Sequence, residues 1–334
     1  MDPDSPSHSH QLVELHAHVG GSVAPEIMWS LAHQQGLKLP VKTYWDFVKF
    51  MRFEKGKSLD QFHELFHWTE LIQTGPLALE RAIYETVGSF YRHSNVTTLE
   101  LRFNPMKRNR GGEHDLDQVI AGALRGMDRA CMDYGTQAGL ILMLDTRFPL
   151  QQNEIVVRKA MKFRSRGVVG IDIAGPGANR LGFDFGQYAE LFSQAKKQGL
   201  GVTVHAGEEK GSEKEISDAI DLLGVTRLGH AIQATGNGQL LNKISDAGVL
   251  VEFCPSSNLH TSLLSGMDEV KKTVDAFKSH GVKFAICSDD TEMFSTTPLN
   301  ERKILVKQGV LTQREVEACD EWAKQASFIK QQIT

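Results

Sequence analysis

Eight short apolar runs, each closed by polar or turn-forming residues, recur along this 334-residue chain. They are Leu12–His16, Thr98–Phe103, Ala138–Leu144, Val168–Ile173, Gly201–His205, Arg227–His230, Val249–Phe253 and Lys283–Cys287. Buried parallel strands, covered on both faces, read this way. Most intervals between them carry helical periodicity, as in Gln118 to Tyr134, Glu154 to Ser165, Phe185 to Gln198 and Val270 to His280. Alternating strands and helices predict a parallel sheet, and eight units predict closure into an α/β (β/α)8 barrel of the TIM type. Such a barrel typically takes about 250 residues. One domain spanning 12–334 therefore accommodates the sequence.

The interval 19–96 is too long for one helix and predicts a helical lid inserted after strand 1. It holds Trp45, Phe47, Phe50, Phe53, Phe62, Phe66 and Trp68. Leu59, Phe62 and Phe66 fall on one helical face. Phe62 and Phe66 are expected either to pack lid against barrel or to form the apolar wall of a ligand pocket.

Composition narrows the function classes. The net charge is −4 and no long basic run follows, so a nucleic-acid partner is not expected. No stretch of about 18 apolar residues is present, so no membrane span is expected. Residues 1–11 are polar, lack the apolar core of a signal peptide and read as a disordered lead-in. Cys131, Cys254, Cys287 and Cys319 form no C-x-x-C pair, which predicts a reducing, cytoplasmic setting. Oligomeric state is left open.

In barrels of this type, catalytic groups project from the C-terminal ends of the strands. Run one ends Glu14-Leu15-His16-Ala17-His18, and residues two apart on a strand share a face. Run five ends His205-Ala206-Gly207-Glu208, run six Gly229-His230, and run eight leads into Ser288-Asp289-Asp290. Imidazoles and a carboxylate converging on one rim suit zinc. Two other patterns compete. His8-Ser9-His10 has no apolar strand behind it. His63-Glu64-Leu65-Phe66-His67 matches the helical H-E-x-x-H of zinc proteases, but the extended form is absent and the rim residues would go unexplained. The H-x-E and P-C-x-x-C pattern of cytidine-type deaminases is missing as well.

Taken in order, His16-Ala17-His18, Asp172-Ile173-Ala174-Gly175, His205-Ala206-Gly207-Glu208, Gly229-His230, Cys254-Pro255-Ser256-Ser257 and Ser288-Asp289-Asp290 resemble the motifs of the adenosine deaminase family, part of the amidohydrolase superfamily. The resemblance implies one zinc ion per chain on His16, His18, His205 and Asp289, and a small-molecule aminopurine substrate. It implies that Glu208 protonates the purine at N1 and that His230 orients the attacking water and takes or stabilises its proton. It implies that Asp290 bonds to N7, that the backbone N–H of Gly175 meets N3, and that His18 also borders the substrate. Glu252 and Ser257 would hold His230 and Asp289 from behind. No lysine ends strand four, which favours a single metal over a binuclear site.

One position departs from the pattern. Adenosine deaminases carry an aspartate after the H-x-H pair that meets the 5′-hydroxyl, and adenine deaminases a glutamate; here Gly20 stands there. Either Ser22 or a lid residue replaces it, or the 5′ end of the substrate differs. The expected reaction is deamination of adenosine or deoxyadenosine to the inosine product and ammonia. The alternatives are a 5′-modified adenine nucleoside such as aminodeoxyfutalosine, free adenine, a non-catalytic purine-binding relative, and a zinc protease.

Overall fold

The computed structural model describes residues 11–55, 59–109, 115–176 and 183–329. All eight expected runs are strands: β1 (Leu12–His18), β2 (Val96–Phe103), β3 (Gln137–Asp145), β4 (Val168–Ala174), β5 (Gly201–Ala206), β6 (Arg227–His230), β7 (Leu250–Phe253) and β8 (Phe284–Ile286). Each pairs in parallel with the next in sequence order. Closure comes just beyond β8, where Asp289 N–H donates to the His16 carbonyl at 2.9 Å and His18 N–H to the Asp289 carbonyl at 3.0 Å. The result is a (β/α)8 barrel with surrounding helices. The expected lead-in falls, apart from Gln11, outside the described residues.

The helices follow local capping chemistry. The helix Leu116–Tyr134 starts at Asp115, whose carboxylate accepts from Asp117 N–H, and stops at Gly135 in the left-handed region. The helix Gln313–Ala326 opens with a reciprocal capping box between Thr312 and Glu315. Both present buried apolar faces to the sheet side of the fold.

Between β1 and β2 the chain is helical: α1 (Val19–Ser22), α2 (Pro25–Gln34), α3 (Tyr44–Met51), α4 (Leu59–Ile72) and α5 (Pro76–Ser94). Phe53, Phe62 and Leu65 from this stretch pack with Met293 and Phe294 from beyond β8, and Phe62 stacks on Phe294 at 5.5 Å. Trp45 joins neither core nor pocket: it is 72% exposed. The long interval after β1 is thus a layer tied to the loop that carries Asp289 and Asp290.

Candidate active site

Two residues apart on β1, His16 and His18 point to the same side and meet groups from β5, β6 and the end of β8. His18 Nε2 lies 3.1 Å from His205 Nε2 and 3.2 Å from Asp289 Oδ1. His16 Nε2 lies 3.6 Å from the same Asp289 oxygen, and His230 Nε2 lies 3.9 Å from Asp289 Oδ2. His230 and Asp289 both adopt φ of 63°, a left-handed conformation that costs a non-glycine residue about 1–3 kcal/mol. For Asp289 the two closure bonds to β1 enforce it. For His230 the next residue does so, since Ala231 N–H donates to the Ala206 carbonyl at 3.0 Å. This turn lets His230 face the rim.

The electrostatics call for a cation at this spot. Burial opposes the ionisation of Asp289, but the His16, His18 and His230 imidazoles hold it well below the usual carboxylate range. Burial keeps His18 neutral. Burial and Arg102 also oppose charge on His16, yet Asp289 and Glu252 outweigh them and lift it to about 9. His16 Nε2 is buried without a hydrogen-bond partner, so a proton or a metal ion must satisfy this cluster. Among the described residues, overlapping triples of donor atoms lie within 4.8 Å of one another, and His16 and Asp289 recur in them. Cys254 belongs to one triple, but its thiol donates to the Glu252 carbonyl at 3.6 Å. The donor set of His16, His18, His205 and Asp289 therefore fits a zinc ion, with imidazole and carboxylate ligands on one side of an open mouth.

Behind the imidazoles sits a buried layer of charge. His16 Nδ1 is 2.6 Å from Glu252 Oε2, and His205 Nδ1 is 3.1 Å from Asp172 Oδ2. Carboxylates in this position fix ring orientation and leave Nε2 for a ligand. Arg102 links the two pairs, donating to Asp172 at 3.0 Å, to Glu252 at 2.9 Å and to the Leu15 carbonyl at 2.7 Å. Glu252 also accepts from Thr203 Oγ1 at 3.0 Å and forms an ion pair with Arg227, whose Nε lies 2.7 Å away. Burial opposes its charge, but the two guanidiniums keep it well below the normal range.

These contacts correct one expectation and add residues to the site. Glu252 supports His16, not His230 or Asp289. Asn258 Oδ1 is 3.1 Å from His230 Nδ1, a residue that Glu252 and Ser257 were expected to hold. Ser257 is buried on the same helix, and its carbonyl accepts from Thr261. Arg102, Asp172, Arg227 and Asn258 had no role assigned from sequence. The available signal was ionisable residues at alternate positions inside apolar runs, as at Glu100 and Arg102 in β2.

The mouth opens into a cavity of about 540 Å³, within the roughly 300–1,000 Å³ of small-molecule sites. Glu208 lines it, 23% exposed, with Oε1 3.6 Å from His230 Nε2. Asp290 lines it with a buried, unpartnered Oδ1. Burial, then the charges of Asp289 and Glu208, raise the Asp290 carboxyl well above its usual range. A Cβ on Gly21 would stand 1.9 Å from Asp290 Oδ1, so only glycine admits that side chain. Gly175 borders the cavity at φ 123°, and a Cβ there would meet Thr146 Oγ1 at 2.7 Å. Phe62 and Phe66 form an apolar side, with the Phe66 ring 6.0 Å from that of His18. Both residues also pack in the cluster with Phe53 and Phe294.

His8 and His10 lie outside the described residues, as does the side chain of His63. His67 borders the cavity, but none of the donor triples among the described residues includes it.

Residues 12–333 match the family model described as Adenosine deaminase. An adenosine deaminase of Vibrio vulnificus is 31% identical over 305 residues, 91% of this chain and 89% of that one. Among solved structures, an Arabidopsis protein complexed with IMP has a TM-score of 0.82 at 26% identity, covering 97% and 94% of the two chains. A zinc-bound amidohydrolase from Burkholderia shares the fold at TM-score 0.85 and 22% identity, covering 97% and 87%.

Proposed function

Since this chain belongs to the adenosine deaminase family and is a hydrolase acting on C–N bonds, we propose that it is a zinc-dependent deaminase of a 6-aminopurine nucleoside, converting adenosine or deoxyadenosine to the inosine product and ammonia. The observation that carries this reading is the convergence of His16, His18, His205 and Asp289 beside Glu208 and His230. A zinc ion on those four ligands would supply the Lewis acidity that brings the pKa of a water from 15.7 to about 7.

The chain's own groups divide the remaining work. Burial keeps His230 below its usual pKa, against the pull of Glu208 and Asp289. With Asn258 Oδ1 accepting from Nδ1–H, Nε2 is the free base that orients the attacking water and takes its proton. As the water oxygen bonds to C6, electron density moves to N1, and Glu208 delivers a proton there. The amino group then leaves as ammonia with a proton returned through these two residues, so the net change is water consumed and ammonia released. N7 of a purine is an acceptor, and Asp290 in its protonated form is the matching donor. The N–H of Gly175 would meet N3.

A second reading has its own support. A Cβ on Gly20 would stand 2.7 Å from the Phe66 ring, so phenyl carbon occupies the space where the family's acidic side chain would project. That favours an adenine nucleoside modified at the 5′ end, and the IMP bound by the Arabidopsis relative, a hypoxanthine nucleotide, carries a 5′ modification.

The test is a panel of 6-aminopurines incubated with zinc-loaded protein, followed by ultraviolet absorbance and ammonia release. Glu208→Gln should keep its zinc and lose about 10²–10⁴-fold in turnover. Full activity in that variant would remove Glu208 from the mechanism, and no ammonia from any aminopurine would remove the reaction.

A further inference from the structure

Resting on the 6-aminopurine reading, we infer that the cavity carries an anion subsite on the 5′ side of the bound nucleoside, built from Asn104, Lys107, Arg108 and Arg147. The ligand class is a nucleoside whose 5′ substituent ends in a negatively charged group, a phosphate or a carboxylate.

Placement comes from α4. The Phe66 ring lies against Gly20, beside the position from which a 5′-hydroxyl would be met. Glu70 is one turn further along the same helix, and residues four apart lie side by side. Glu70 Oε1 is 3.3 Å from Lys107 Nζ and 3.4 Å from Arg108 Nη1. Lys107 Nζ also contacts Asp145 Oδ2 at 2.5 Å, and Asp145 receives Arg147 through Nε at 2.8 Å and Nη2 at 2.7 Å. These five residues form one connected network, and all of them line the cavity.

Lys107, Arg108 and Arg147 thus bring three cationic groups to one side of the cavity, held in place by Glu70 and Asp145. Asp145 stays ionised: burial opposes its charge, but Arg147 and Lys107 hold it at about 2. Asn104, at the end of β2, adds a donor. Its Oδ1 accepts from the N–H groups of Met106 and Lys107, while its buried Nδ2 has no partner and borders the cavity. A cavity side with three cationic groups and an unmet N–H suits an acceptor that is negatively charged. Glu208 and Glu209 also line the cavity. A carboxylate at position 20 would repel an anion, and glycine backed by a phenyl ring does not.

Equilibrium binding separates this subsite from the chemistry. Calorimetry with zinc-loaded protein would compare inosine, inosine 5′-monophosphate and the 5′-carboxylate analogue of inosine. Charge-assisted contacts predict about 10- to 100-fold tighter binding of an anionic ligand, weakening with salt. Tighter binding of the monophosphate alone identifies phosphate, of the carboxylate alone identifies carboxylate, and of both identifies a general anion site. Equal binding of all three, or tightest binding of inosine, overturns the proposal. Arg147→Gln, whose side chain is 43% exposed and so removable without unfolding, should shrink the anion preference, as should Lys107→Gln. An unchanged preference in both variants would remove these residues from the subsite. If the preference holds but no 6-aminopurine is deaminated, the deaminase reading fails and the subsite stands. If adenosine is deaminated without any preference, the reverse is true.

Discussion

At the scale of single residues, the site depends on groups that never touch a substrate. Glu252 satisfies His16, Arg102, Arg227 and Thr203 from four different strands. Removing its charge takes one of two carboxylate partners from each of two buried guanidiniums, leaving Arg102 with Asp172 and Arg227 with Glu100. Glu252→Gln is expected to lower unfolding free energy by about 3–5 kcal/mol, read as a drop in urea midpoint. In the same variant, zinc affinity should fall by about 10–100-fold, because His16 loses its orienting partner. Gly175→Ala tests backbone geometry: a φ of 123° and the Thr146 contact predict about 1–3 kcal/mol of strain. The N–H proposed to meet the purine would shift with it, so on that reading KM should rise more than kcat falls.

At the scale of elements, the short helix Pro255–His260 behind His230 is anchored by a neighbour. Ser256 N–H donates to Glu301 Oε2 at 3.1 Å, and Thr296 Oγ1 bonds the other Glu301 oxygen. Burial pushes the Glu301 carboxyl up to about 7, against the lowering effect of those bonds. The folded state therefore holds a proton that the unfolded chain releases at about 4.5. Its stabilising contribution is fully present below pH 4.5 and is lost as pH rises through 7, with an upper bound of roughly 3 kcal/mol. Glu301→Gln should flatten stability against pH between about 5 and 8. An unchanged slope in thermal melts would show that this carboxyl does not titrate there. The α4 helix acts at this scale too. It sets Phe62 and Phe66 against the rim and carries Glu70 to the cationic side, so one helix shapes both the apolar and the polar parts of the pocket.

At the scale of the whole molecule, the barrel has two different ends. The C-terminal mouth holds the reactive cluster, while the opposite end is stopped by the segment after the last helix. The Phe328 ring lies under the Arg227 guanidinium at 3.6 Å, and its N–H donates to Glu100 at 2.6 Å. A Cβ on Gly201 would come within 2.1 Å of that ring. Phe328→Ala should cost about 2–3 kcal/mol, somewhat less than a fully enclosed core phenylalanine. Gly201→Ala should be destabilising through the same contact, and differential scanning fluorimetry would detect both. Among the described residues, no helix is long and apolar enough to cross a membrane. Thorough chelation should abolish turnover, and zinc should restore it, if the rim holds the proposed metal.

Eight strands, their order and the rim positions of His16, His18, His205, His230 and Asp289 were readable in the linear chain. Apolar runs of strand length cannot be satisfied except by burial on both faces, and the period of two fixes which side chains share a side. Contacts across the barrel were not readable. That Glu252 holds His16, that Arg102 joins two carboxylates, and that Asn258 faces His230 depend on register between strands far apart in sequence. So does the meeting of Glu70 with Lys107 and Arg108. Local patterning sets which face a residue takes, but only closure of the barrel decides what stands opposite it.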